Sequence, residues 1–147
     1  MGVICAYVDD AGNTGANIRD PNQPYHFVGA ILIPDDRWLD VRADLQQVRD
    51  SLPNDTGRQG NFEFRGDNIV NGNPPWNRLS RPERMAAYSD CIEVIANRNL
   101  QLVHGCCNKP LLRGYVSPMH PHEVAFWLCL ERIAAYVNYC ARTDPTS

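Results

Sequence analysis

The sequence predicts a mixed α/β domain, on three observations. Short apolar runs stand at residues 3–8, 25–33 and 100–107, each closed by Asp, Pro or Asn. Longer stretches, 34–52, 81–97 and 122–141, carry apolar residues at steps of three and four. The two kinds interleave as strand, strand, helix, short strand, helix, strand, helix, which is a mixed α/β order. The 147 residues suit a single domain, 1–147, with a core of its own.

Each element has a local reason. Val3-Ile4-Cys5-Ala6-Tyr7-Val8 reads as a strand bounded by Asp9-Asp10 and a glycine turn. Residues 13–24 carry Asn, Gly, Asp and Pro and read as a loop. Tyr25 to Ile33 reads as a second strand, stopped by Pro34 and pairing antiparallel with the first. Pro34-Asp35-Asp36 opens a helix whose apolar stripe is Trp38, Val41, Leu45, Val48 and Leu52, ended by Pro53-Asn54. Phe62-Glu63-Phe64 reads as a brief strand that sends Glu63 to the face opposite the phenylalanines. Residues 66–79, rich in Asn, Gly and Pro, read as an exposed loop with Trp76 as a contact residue. Ser80-Arg81-Pro82-Glu83 matches a capping box, and Met85, Tyr88, Ile92 and Ile95 give the stripe of the next helix. The third strand, 100–107, leads through Asn108-Lys109-Pro110 into a loop. The last helix, about 122–141, turns Ala125, Leu128, Cys129, Arg132, Ile133, Tyr136, Val137 and Cys140 toward the core.

Composition narrows the function classes. With 44% hydrophobic and 21% charged residues the chain reads as an ordinary soluble globular protein. A net charge of -3 gives no global footprint for nucleic acid, so such a substrate needs a local basic patch or a bridging cation. No segment approaches the length of a membrane span and the N-terminus lacks the basic stretch of a signal peptide, so no membrane partner and a cytoplasmic location are expected. The six cysteines, each in an apolar or helical stretch, are then expected reduced rather than paired.

The chemistry-bearing stretch is Tyr7-Val8-Asp9-Asp10-Ala11-Gly12-Asn13. Two carboxylates sit where a buried strand ends, a costly place for charge unless it is paired or bound to a metal. Mg²⁺ and Mn²⁺ prefer oxygen ligands, and carboxylates at strand ends hold them in phosphoryl-transfer sites. The local alternative is that Asp9 and Asp10 only begin the turn.

Three places resemble a family of largely uncharacterised bacterial and phage proteins that opens with a strand ending Asp-Glu-Ser-Gly. Asp9-Asp10-Ala11-Gly12-Asn13 matches the opening, Glu63-Phe64 a second acid, and Asn108-Lys109 the end of the third main strand. Ala11 stands where the family has Ser. The family is similar to integrases and Holliday-junction resolvases. The resemblance therefore implies a ribonuclease H-like mixed sheet flanked by helices, here lacking the family's last strand. It also implies a metal-dependent nuclease activity with Mg²⁺ or Mn²⁺ and a nucleic acid substrate. On that reading Asp9 and Glu63 are the principal ligands and Asp10 a further metal ligand. Lys109 meets a phosphate or developing negative charge; the alternative is a solvated loop lysine. A missing strand leaves an open sheet edge, which a homodimer could cover.

Two other constellations bear on the chemistry. His104, Cys106, Cys107, His120 and His122 hold enough nitrogen and sulfur for Zn²⁺, but their spacing matches no zinc motif and adjacent cysteines on a strand face opposite ways. A nucleophilic Cys106 or Cys107 with His120 lacks a group to orient the histidine. The rival to the nuclease reading is a non-catalytic interaction protein of phage or mobile-element origin, binding a host protein or nucleic acid.

Overall fold

The computed structural model describes residues 2–11, 17–60 and 62–143. The Gly12–Gly15 turn of the opening motif, Asn61 and the tail from residue 144 lie outside the described residues. The chain forms two compact units. One joins the chain up to Asp35 with the chain from Gln101 onward; the other is Asp36–Leu100.

The first unit is a sheet covered by one long helix. Strands β1 (Ile4–Ala11), β2 (Tyr25–Pro34) and β3 (Gln101–Asn108) lie in the order β1-β2-β3. Both pairings are antiparallel, so the described sheet is antiparallel throughout rather than of mixed direction. Asp10 stands opposite Val28 and Val28 opposite Gly105, which fixes the register of all three strands. The ladder runs on past β3, where the Lys109 N–H donates to the Pro24 carbonyl at 2.9 Å.

Period-two alternation gives the sheet a covered and an open face. His26, Val28, Ala30 and Leu32 are buried on the covered face, with Gly105 and Cys107 from β3.

The second unit is helical. It contains α1 (Trp38–Ser51), a short α2 (Gly66–Asn71) and α3 (Arg81–Asn97), with 3-10 turns at Asp35–Arg37, Pro53–Arg58 and Trp76–Arg78. The capping box forms as the sequence requires. The Ser80 hydroxyl accepts from the Glu83 N–H, and the Glu83 carboxylate accepts from the Ser80 N–H at 2.7 Å. Arg98 ties α3 to α1: its guanidinium reaches Asp44 at 2.6 and 3.0 Å and Asp40 at 3.1 Å. Two expectations change here. Residues 62–65 are not a strand, although Phe62 and Phe64 do turn inward while Glu63 is exposed. Residues 66–79 are not an exposed loop: Trp76 is 0% exposed and packs on Phe62 and Phe64, with ring centroids 5.3 and 6.1 Å away. Its indole N–H donates to the Glu63 carbonyl at 3.1 Å, which lets a polar atom enter the core.

Helix α4 (Pro121–Thr143) completes the first unit and lies over β2 and β3. Ala125 and Cys129 are its buried residues on that side, while Arg132, read as core-facing, is exposed. Gly105 makes the close approach possible. A Cβ there would lie 2.0 Å from the Ala125 carbonyl oxygen and 2.5 Å from the Cys129 nitrogen. Small residues at the contact thus set how near helix and sheet can come.

Candidate metal centre

The first unit gathers three metal-type ligands from three elements. Asp10 opposes Val28 on the covered face of the sheet, and His26 precedes Val28 by two residues on that same face. The two are therefore diagonal neighbours across β1 and β2, within reach of each other. Helix α4, seated on Gly105, brings the His122 of its first turn to the same point. One oxygen of Asp10, one ring nitrogen of His26 and one of His122 all lie within 4.8 Å of one another.

The pairwise geometry is close. His26 Nε2 is 3.2 Å from His122 Nδ1 and 3.8 Å from Asp10 Oδ2. His26 is 2% exposed, so its ring is held by packing; the Asp10 side chain is 33% exposed, leaving one side of the cluster open to solvent. His122 stacks on Phe126 at 6.1 Å with rings 10° apart, and its ring meets His26 edge-on. Its backbone N–H donates to His120 Nδ1 at 3.2 Å, so His120 serves the start of α4. Imidazole pairs and a carboxylate are a common ligand set for divalent cations, and exposed ligand atoms leave room for solvent or substrate.

The residues singled out by sequence fall in different places. Asp9 lies on the open face, one residue and one face away from Asp10, because β1 continues through both. Its carboxylate accepts the Asp10 N–H at 2.9 Å. Glu63 belongs to the helical unit, is exposed, and contributes its backbone carbonyl to Trp76. Lys109 is 0% exposed at the end of β3, not a solvated loop lysine. Its ammonium lies near Cys107, where its charge opposes the burial that raises that thiol. A phosphate reaches so buried a side chain only through a rearrangement. Among the described residues, Asp10 alone of these four joins a metal-type cluster.

His122 was one of the zinc candidates, but its neighbours are His26 and Asp10 rather than the cysteines. Burial pushes the thiols of Cys106 and Cys107 above their usual range, which holds both protonated near neutrality and weakens them as nucleophiles. His26 escaped the sequence reading because it sits inside an apolar run. The available signal was its phase: with Val28, Ala30 and Leu32 it occupies the buried alternate positions of β2. No protein-family profile, curated protein or solved structure matches the chain.

Proposed function

We propose that the sheet-and-helix unit is a divalent-metal-dependent, nuclease-like domain that cleaves phosphodiesters, with Asp10, His26 and His122 as its cation ligands. The convergence of three ligand atoms within 4.8 Å carries the reading. The resemblance of the opening motif to the ribonuclease H-like family supports it, since that family also draws a carboxylate from the end of its first strand. The ligand role passes from Asp9 to Asp10, because Asp10 shares a face with the two imidazoles.

A bound cation would supply Lewis acidity to a phosphoryl oxygen and to an attacking water. The chain's own residues do the positioning. Buried His26 is held against its core neighbours and fixes the site's floor. Asp10, at the rim, places negative charge where a cation offsets the repulsion of an approaching phosphate. His122, held by its stack on Phe126, closes the side toward α4.

The test is an oligonucleotide cleavage assay on single- and double-stranded DNA and RNA with added Zn²⁺, Mn²⁺ or Mg²⁺. Cleavage that disappears in Asp10→Asn, with the far-UV spectrum unchanged, supports the reading. Intact substrates under all three cations would remove it.

A second reading rests on the open face of the sheet. Tyr7, Tyr25, Phe27 and Leu102 are 49%, 48%, 40% and 55% exposed there. Exposed aromatic residues on a sheet favour the interaction-protein alternative, in which the scaffold binds a host protein or nucleic acid without cutting. Phe27→Ala should weaken such binding and leave cation affinity unchanged.

A further inference from the structure

We infer that the Asp10–His26–His122 centre takes a nitrogen-preferring divalent cation of the zinc class rather than Mg²⁺, and that the cation fastens the first turn of α4 to the sheet. The inference rests on the ligand set of the proposed function and names the cation that set selects.

Donor chemistry is the first argument. Two of the three ligand atoms are imidazole nitrogens and one is a carboxylate oxygen. Mg²⁺ requires near-octahedral oxygen coordination, whereas imidazole suits Zn²⁺ and its neighbours in the first transition row. Mn²⁺ accepts both kinds of donor but binds more weakly than Zn²⁺ in the same site.

Geometry is the second. At Zn–N distances of about 2.0–2.1 Å, two ligands at the tetrahedral angle stand roughly 3.3–3.4 Å apart. The two nitrogens are 3.2 Å apart, and His26 Nε2 is 3.8 Å from Asp10 Oδ2. A small adjustment of the exposed Asp10 side chain, by rotation on its strand, brings the oxygen into the same range. The buried His26 need not move.

Topology is the third. The ligands come from β1, from β2 and from the start of α4, and His26 and His122 are 96 positions apart in sequence. A cation shared by all three elements binds the folded unit and not the unfolded chain, so it stabilises the fold in proportion to its occupancy. Mg²⁺, kept hydrated and held by Asp10 alone, would not bridge to α4.

Calorimetric titration of the full chain with Zn²⁺, Mn²⁺ and Mg²⁺, paired with thermal melts, tests this. The controls are Asp10→Asn and His122→Ala, both at exposed positions, so their folds should survive and can be checked by circular dichroism. The expected affinity order is Zn²⁺ above Mn²⁺ above Mg²⁺. Each control should lose roughly tenfold or more in Zn²⁺ affinity, since even outer-shell substitutions around a metal cost that much. Zn²⁺ should raise the melting temperature of the wild type and not of the controls. Mg²⁺ binding as tightly as Zn²⁺ would overturn the inference. So would full Zn²⁺ affinity in both controls, which would place the ion away from this centre. Tight, control-sensitive Zn²⁺ binding without oligonucleotide cleavage keeps this inference and removes the nuclease reading. Mg²⁺-dependent cleavage that both controls abolish, with Mg²⁺ bound at least as tightly as Zn²⁺, does the reverse.

Discussion

The two units bury different chemistry. The helical unit fills its core with Ile69, Trp76, Leu79 and Ala87, backed by Leu52, Phe62, Phe64 and Met85. The sheet unit fills its core with Val28, Ala30, Leu32, Cys107, Ala125 and Cys129, and buries His26 and Lys109 beside them. Large rings can close a core around irregular chain, as Trp76 does for residues 62–79. Small residues let backbone approach backbone, as Gly105 does under α4, and so bring side chains from distant elements to one point. Ligand-type clustering accordingly appears in the unit with the smaller core residues.

Substitution of Gly105 tests that contrast most severely. Gly105→Val drives a side chain into the α4 backbone, and overpacking of this kind costs about 3 kcal/mol or more. Denaturant unfolding should show the loss, and cation affinity should fall with it, because His122 travels with α4. Unchanged stability would mean that the close approach does not position the helix.

Trp76→Ala is the matching cut in the other unit. Loss of a fully buried Trp costs about 3–5 kcal/mol. The expected result is a lower denaturant midpoint with Zn²⁺ affinity retained under native conditions. A parallel loss of cation affinity would erase the distinction between the units.

Smaller effects sharpen the picture of the helical unit. Ser80→Ala removes the side-chain half of the capping box and should cost about 1 kcal/mol, read from the same unfolding curves. The acid dependence is smaller again. A hydrogen bond from Arg98, aided by its charge, holds the Asp44 carboxyl below its ordinary 3.8, and Ser80 holds Glu83 below 4.5. A carboxyl depressed by folding adds stability above its unfolded value and loses it as pH falls through the folded one. Stability should therefore decline below about pH 4, and Asp44→Asn should make that decline shallower. An identical acid limb in the variant would show that the ion pair carries no pH dependence.

Much of the framework was legible in the sequence because its signals are local. β1, β2 and β3 stand close to where apolar runs placed them, and the capping box begins α3 where Ser80 and Glu83 said it would. The antiparallel pairing of the first two strands also follows. Tertiary effects were less legible. Loop-like composition around Trp76 concealed a residue whose burial depends on Phe62 and Phe64. In α3 the periodic stripe misled: Tyr88 and Ile92 are 41% and 47% exposed, while Ala87 and Val94 are buried. The centre itself was half visible. The acidic end of β1 stood out, but which of two carboxylates meets a histidine depends on how far the strand runs, and His26 becomes a partner only through the pairing of β1 with β2.

That pairing has a genetic consequence. Because Asp9 and Asp10 are adjacent, a slip of β1 by one residue toward its C-terminal end would deliver Asp9 to the imidazoles and turn Asp10 to the other side, whereas the opposite slip would bring Ala11 there. A single codon inserted within Ile4–Val8, with the start of the strand held in place, would thus keep a carboxylate at the centre while reversing the faces of the residues that follow it; a deleted codon would put Ala11 there instead. The doubled aspartate makes the centre tolerant of one inserted residue, a change that the apolar residues of β1 would not tolerate.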